Sequence, residues 1–255
     1  MKIVQFSSLG KFGGFGNQLF QYCFARAFAE KYNAVLEIPE DWIGRKIFKN
    51  IDHQGLSKPI PPCPTIDEIP NLDSYLDKNF KVNLNGYFQF EKAYDFLYYE
   101  KIRNWLQFKD EWIEMFPKGG CFYVACHLRR GDYEKYSNIF CTISEESYLE
   151  SVSFYGYSPL DIIWVSQEKS RINQHCPYDF LPDFFTLMNA PVLFRSNSTF
   201  SVWASILGDC ITYAPIVEGV IGINKHVYFQ YGNWYKTVGD YKGASSRKPG
   251  YFIFR

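Results

Sequence analysis

Histidine is scarce in this sequence, 4 in 255 residues, and its 7 cysteines lie scattered with no Cys-x-x-Cys pair. Both absences count against a zinc centre, which needs His and Cys ligands at short spacings. No Gly-x-x-x-x-Gly-Lys-Ser/Thr run occurs, so there is no P-loop. Asp-x-Asp is missing too, and with it the usual carboxylate pair of a metal-bridged nucleotide sugar. Net charge is absent, 27 Lys and Arg against 27 Asp and Glu, which gives no electrostatic case for nucleic acid or an anionic membrane surface. No apolar run approaches the roughly 20 residues of a membrane span. Residues Met1 to Phe6 lack the long apolar stretch of a signal peptide. These absences, with an odd number of cysteines, predict a soluble, cytoplasmic protein whose thiols stay free. In that setting the sequon Asn197-Ser198-Thr199 carries no glycan.

Aromatic residues, by contrast, are abundant. Phe, Tyr and Trp make up 20% of the chain, enough that much of the core and any pocket lining must be built from rings. The length suits one large domain or two of moderate size. The opening reads as strand, glycine-rich loop, helix, strand: Lys2 to Phe6, Ser7 to Gly16, Asn17 to Tyr32 and Val35 to Ile38. Leu19, Cys23 and Ala27 recur at helical spacing, as do Phe20, Phe24 and Phe28. A glycine-rich turn aimed at a helix N-terminus welcomes an anion, because backbone N–H groups and the helix dipole converge there. The pattern resembles a dinucleotide-binding fingerprint with Glu37 as the ribose acid, but Leu19 stands where the third glycine should allow close helix–strand packing.

The centre of the chain is Cys126-His127-Leu128-Arg129-Arg130-Gly131-Asp132-Tyr133, which follows an apolar run, Phe122 to Cys126, read as a buried strand. Adjacent arginines leaving a strand point to opposite sides, so one can reach a ligand while the other pairs with protein. The planar guanidinium fork matches two phosphate oxygens and stays charged at any working pH. The same pattern also suits a structural ion pair with Asp132, and the residues alone leave both readings open. A second strand–turn–helix unit follows, with Val192 to Phe194 as strand, Arg195 to Phe200 as polar turn and Ser201 to Leu207 as helix. Its hydroxyls and N–H groups again suit an anion, or a plain helix cap. Between these units, Ser144 to Phe154 and Phe180 to Met188 read as helices and Leu160 to Val165 as a buried strand. Earlier, Phe80 to Leu84 reads as a strand and Glu91 to Phe108 as a helix, and the proline cluster from Pro59 to Pro64 excludes regular structure.

Four segments together resemble a family. Gly13 to Tyr22, Asn85 to Lys92, His127 to Tyr133, and Asp183 to Met188 followed by Ser196 to Trp203 are similar, in this order, to the motifs of glycosyltransferase family 11, the α-1,2-fucosyltransferases. The resemblance implies an α/β protein of GT-B type, two Rossmann-like halves facing a central cleft. It implies an inverting transferase that needs no metal or other cofactor and moves L-fucose from GDP-fucose to a galactoside hydroxyl of a glycan. By that likeness Arg129 acts on the leaving phosphate and Asn17 lies at the reaction centre, orienting acceptor or phosphate. His127, Arg130, Asp132, Asp183, Asn197, Ser198, Thr199, Phe200, Gly14, Phe15 and Gly16 are the expected substrate-binding residues. Residues 1–118 would form the acceptor half, 119–215 the nucleotide-sugar half, and 216–255 a tail of unknown placement. The chain departs from the family at Val165-Ser166-Gln167-Glu168, at Val202-Trp203 and at Ile216 to Gly219, which bears on donor sugar and acceptor. A transferase for another nucleotide sugar, or a catalytically silent carbohydrate- or nucleotide-binding module, are the alternatives.

Overall fold

The structure, a computed structural model, describes residues 1–63, 81–89, 99–167, 175–217, 219–232, 235–236 and 251–252. Pro64, the region 91–98 of the expected helix, the end of the second motif from Phe90 to Lys92, and Glu168 lie outside the described residues. The chain divides into two compact units, Met1–Trp112 and the part from Ile113 onward.

In the first unit β1 (Ile3–Gln5) is the middle strand of a parallel sheet, between β2 (Val35–Glu37) and β3 (Lys81–Asn83). Helix α1 (Phe15–Lys31) connects β1 to β2 and buries Leu19, Phe20, Cys23, Phe24, Ala27 and Phe28, the two spaced sets seen in the sequence. Phe24 stacks on Phe88 with ring centroids 4.1 Å apart, so a ring at helical spacing reaches the loop after β3. The helix ends where Asn33 takes φ 50° and Ala34 N–H donates to Ala29 O, a left-handed residue releasing the chain toward β2. Short helices α2 (Gly44–Ile47) and α3 (Tyr99–Trp105) complete the unit, and α4 (Asp110–Met115) straddles its boundary.

The second unit is built on β4 (Val124–Leu128), fully buried in the interior of a five-stranded sheet. It lies between β6 (Ile162–Ser166) and β7 (Val192–Phe194), with β8 (Ile211–Pro215) beyond β7, all parallel. β10 (Phe229–Tyr231) closes the edge antiparallel to β8. Helices α5 (Asp132–Lys135), α6 (Glu145–Phe154), α7 (Leu181–Met188) and α8 (Thr199–Leu207) make the connections. Ser144 caps α6 by accepting from Ser147 N–H, as its position suggests. A parallel pair, β5 (Cys141–Ile143) with β9 (Gly222–Lys225), brings residues beyond Pro215 into this unit.

Several boundaries differ from the sequence reading, among them the start of α1, at Phe15 rather than Asn17. β4 begins at Val124, where its neighbours Ile162 and Val192 begin, and Phe122 stays half exposed; His127 and Leu128 therefore belong to the strand. Leu160 is 95% exposed on a one-turn 3-10 helix, because Ser158 accepts from Leu160 N–H and starts that turn before the strand. Helix α8 starts at Thr199 rather than Ser201, since Ser198 is its cap.

Candidate functional site

The chain leaves β4 toward β6 on one side and leaves β7 toward β8 on the other, while β4 and β7 are themselves neighbours. The loops at their carboxyl ends therefore diverge. Such a switch point opens the crevice in which open α/β sheets bind ligands. The residues placed there are Arg129-Arg130-Gly131 after β4 and Arg195-Ser196-Asn197-Ser198 after β7. The sequence reading singled out both stretches, and the topology puts them side by side.

Hydrogen bonds tie the loops together. His127 Nδ1 and Ser196 Oγ share one at 2.8 Å, Tyr133 Oη donates to Asn197 O at 3.2 Å, and Asn197 Nδ2 donates to Cys141 O at 3.2 Å. Tyr148 Oη donates to His127 O at 2.7 Å, holding the strand end from the α6 side. His127 is buried, and burial first, then the Arg129 guanidinium, pushes its pKa down to about 3. A neutral, weakly basic imidazole hydrogen-bonded to Ser196 is a brace between loops and a poor proton acceptor.

The two arginines part as the strand geometry requires. Arg130 is buried and donates through Nη1 to Ile143 O at 2.8 Å, so it fastens the loop to β5. Arg129 stays partly exposed, pairs through Nη2 with Asp132 at 2.7 Å, and lies 5.2 Å from the Tyr133 ring centroid. Its Nε is buried with no hydrogen-bond partner among the described residues. The ion pair with Asp132 that the sequence left open is formed by Arg129, while Arg130 is bonded to the backbone of β5. The ring that carries Arg129 is the same Tyr133 that grips the second turn.

Gly131 turns the chain out of β4 at φ 64°, and a Cβ there would lie 2.3 Å from Gln167 Oε1. Gly131→Ala is expected to cost roughly 1–3 kcal/mol of stability, read by urea unfolding. Gly14→Ala, at an ordinary φ of −70° with nothing within 4 Å of the added Cβ, carries no such strain and should lose only the N-cap preference for glycine over alanine, which makes it the comparison.

On the second turn Ser198 Oγ accepts from Phe200 N–H at 3.3 Å, so its lone pair caps α8 while its hydroxyl proton can still be donated. Thr199 and Phe200 are partly exposed at the positive end of the helix dipole. Asp183 is buried in the first turn of α7, and its neighbour Phe184 meets Phe200 edge-on at 5.2 Å. Phe184, next to Asp183 in the chain, thereby packs α7 against the turn.

In the first unit the Gly-rich loop ends at Gly14, the N-cap of α1. Gly14 is exposed and Asn17 partly so, whereas Gly16 is buried and Phe15 turns inward to stack on Phe48 at 6.2 Å. Gln89 Nε2 donates to Asn17 Oδ1 at 2.9 Å. Gln18 bridges Gly13 O and Trp42 Nε1 and stiffens the loop. Glu37, the acid of the dinucleotide-like pattern, is buried under donors from Gln5, Ser57 N–H and Ser57 Oγ. Burial raises its pKa, but those hydrogen bonds outweigh burial and hold it below the usual carboxylate range. Its Oε2 is thus engaged by donors of the protein itself, which suits a structural acid. Gln89, Tyr133, Arg195 and Ser196 were not among the expected site residues. Tyr133 and Gln89 lay inside the motif segments, while nothing in the sequence marked Ser196 as the partner of His127.

Among the described residues no group of three or more His, Cys, Asp or Glu side chains is arranged to hold a metal ion. No described helix is long and apolar enough to cross a membrane.

No family model matches the chain. No curated protein matches it by sequence either. Solved structures do match. NodZ α-1,6-fucosyltransferase co-crystallised with GDP aligns with a TM-score of 0.51 at 13% identity, over 90% of this chain and 98% of that one. Selenomethionine-labelled fucosyltransferase NodZ from Bradyrhizobium aligns at 0.52 and 12%, with the same coverage. A mutant of Arabidopsis thaliana FUT1 in complex with GDP gives 0.49 at 11%, over 84% of this chain and 70% of that one. The likeness to NodZ shows the fold: the chain is an α/β protein of the GT-B type.

Proposed function

We propose that this chain is a glycosyltransferase that moves L-fucose from GDP-fucose to a glycan hydroxyl, with inversion and without a metal. The observation that carries the proposal is the switch point itself. Arg129 and the capped turn at Ser198 leave adjacent parallel strands and are braced to each other through His127–Ser196 and Tyr133–Asn197. That is a preorganised site for a diphosphate, in a fold shared with a fucosyltransferase crystallised with GDP.

Cleaving the sugar–phosphate bond leaves positive charge on the sugar ring and added negative charge on the departing β-phosphate. A guanidinium held in place before the reaction stabilises that charge without reorganising as it forms. We assign this role to Arg129, with Ser198, Thr199 and the N–H groups of their turn on the phosphates. Asn17 orients the acceptor or the phosphate. The neutral, braced His127 is left out of proton transfer, and the acceptor proton goes to the leaving phosphate. In place of a metal, arginine and a helix N-terminus offset the diphosphate charge.

The four motifs support an α-1,2 linkage to a galactoside, whereas the solved neighbour is named an α-1,6-fucosyltransferase. NMR of the product made from GDP-fucose and a β-galactoside decides between them. Donor class is tested by thermal shift with GDP, UDP, ADP and CMP in excess chelator. GDP at about 100 times its dissociation constant should add about 2.7 kcal/mol of stability. A shift with another nucleotide alone would overturn the donor, and no shift with any would return the chain to the silent-module reading.

A further inference from the structure

The first unit has a switch point of its own. β1 sends the chain to β2 on one side, while β3 lies on its other side, so the loops after β1 and β3 diverge at the carboxyl edge of this sheet. Ser7 N–H donates to Asn83 Oδ1 at 3.1 Å and Asn83 Nδ2 donates to Ser7 Oγ at 2.8 Å, which ties the two loops at their roots. Farther along each loop a ring meets its counterpart. Phe12 and Tyr87 lie with centroids 5.3 Å apart and planes at 86°. Tyr87 is 48% exposed and Phe12 partly so, whereas Phe6, Phe15, Phe24 and Phe88 of the same unit are buried. Phe88, next in the chain, takes φ 53°, which a side chain other than glycine rarely adopts, and turns inward to stack on Phe24 at 4.1 Å and meet Phe6 edge-on at 5.8 Å. Strained backbone of this kind gathers at ligand sites.

Chemistry narrows the ligand. Two rings at right angles offer a face and an edge in one corner. The face is the negative part of the aromatic quadrupole, so it attracts the weakly positive C–H groups of a pyranose, whose hydroxyls stay at its rim. Charge points the same way: among residues 7–14 and 84–89 only Lys11 is charged, which leaves a diphosphate or another anion little to pair with. The patch is also small. The other exposed large apolar side chains among the described residues of this unit are Met1, ahead of β1, and Leu56, in the chain after β2. Two rings suit a sugar rather than the face of a protein partner.

We propose that Phe12 and Tyr87 form a platform for one pyranose ring of a neutral glycan, with Tyr87 supplying the stacking face. The platform goes beyond the transferase reading, which supplies only the choice of a galactoside as probe.

The probe is lactose, titrated into the full chain without nucleotide and followed by saturation-transfer NMR. Saturation should reach the C–H protons of one pyranose ring. Tyr87→Ala should weaken binding roughly tenfold, the size of one aromatic contact. Tyr87→Phe keeps the ring and should bind within about twofold of the unaltered chain, while Tyr87→Leu, apolar without a π face, should behave as the alanine variant does. The Tm of all three should stay close to that of the unaltered chain, because the side chain is exposed. No binding of lactose by the unaltered chain, or equal binding by it and by Tyr87→Leu, overturns the inference. Loss of the GDP-induced thermal shift in Tyr87→Ala, with lactose binding intact, overturns it too and gives the rings to the nucleobase. Lactose binding that depends on Tyr87 in a chain that transfers no fucose sinks the transferase reading alone. Fucose transfer with lactose binding indifferent to Tyr87 sinks the platform alone.

Discussion

Arg129→Ala is expected to lower kcat for transfer by roughly 10²–10³-fold, the usual cost of removing one preorganised donor from a developing oxyanion. The Tm should move little, because the side chain is partly exposed and its ion pair with Asp132 is a local surface pair. Arg129→Lys keeps the charge and loses the fork, so an intermediate loss is expected. The neighbouring arginine provides the contrast. Arg130 is buried on Ile143 O, and Arg130→Ala should cost about 1.5–3 kcal/mol of stability, the range for a hydrogen bond from a charged group. Steady-state kinetics and urea unfolding on the two alanine variants separate the roles. If Arg129→Ala keeps a third or more of the turnover, or if its whole effect lies in stability, the assignment at the leaving phosphate is wrong.

The second large effect is on acid stability. His127 is held down to about 3, chiefly by burial, and His53 to about 4, by burial first and the charges of Arg26 and Arg45 after it. Both are neutral when folded and would take up protons near their ordinary value of about 6.5 when unfolded. The unfolded chain therefore binds more protons below that pH, so the stability both groups allow is fully present above about 6.5 and falls as the pH drops toward their folded values. At about 1.4 kcal/mol per pH unit, His127 alone accounts for roughly 2 kcal/mol lost by pH 5, with a smaller share from the half-buried His53. Glu37 has the depressed carboxylate pKa, so its contribution is present above the ordinary carboxylate range and is lost only as the pH falls further. Urea unfolding between pH 8 and 5 should show a steadily falling midpoint. His127→Asn, which keeps an amide nitrogen near Ser196 without titrating, should flatten that slope. An unchanged slope would mean that His127 is not the titrating group.

Much of this was legible from residue patterns. Two apolar series spaced by four in α1, the short aliphatic runs of β1, β2 and β7, and serine before a helical segment at Ser144 each gave elements close to those observed. The Arg129–Tyr133 stretch and the Ser196–Phe200 turn were visible as two separate polar turns. What periodicity could not give was their adjacency, which depends on β4 and β7 being neighbours while β6 lies on the other side. The same limit hid the His127–Ser196 bond and the grip of Tyr133 on Asn197, contacts 69 and 64 residues apart. Leu160 was misread because an apolar run looks the same whether it opens a strand or caps a turn. Phe15 stands inside a motif expected to bind ligand, yet the helix turns its ring toward Phe48.

The pairing of β5 with β9 has a consequence for how the protein is made. β5 supplies the carbonyl that fastens Arg130, and its own support comes from residues translated about eighty positions later. Asn224 N–H donates to Thr142 Oγ1, Lys225 O accepts from Ser144 N–H, and Val227 N–H donates to Ser147 Oγ. On the ribosome the five-stranded sheet can gather its four parallel strands as soon as Pro215 has emerged. The loop that holds the arginines must wait with one flank unpaired until Gly222 to Val227 follow. The pairing of β5 with β9 is therefore the last of the contacts that support Ile143, whose carbonyl holds Arg130, to become available.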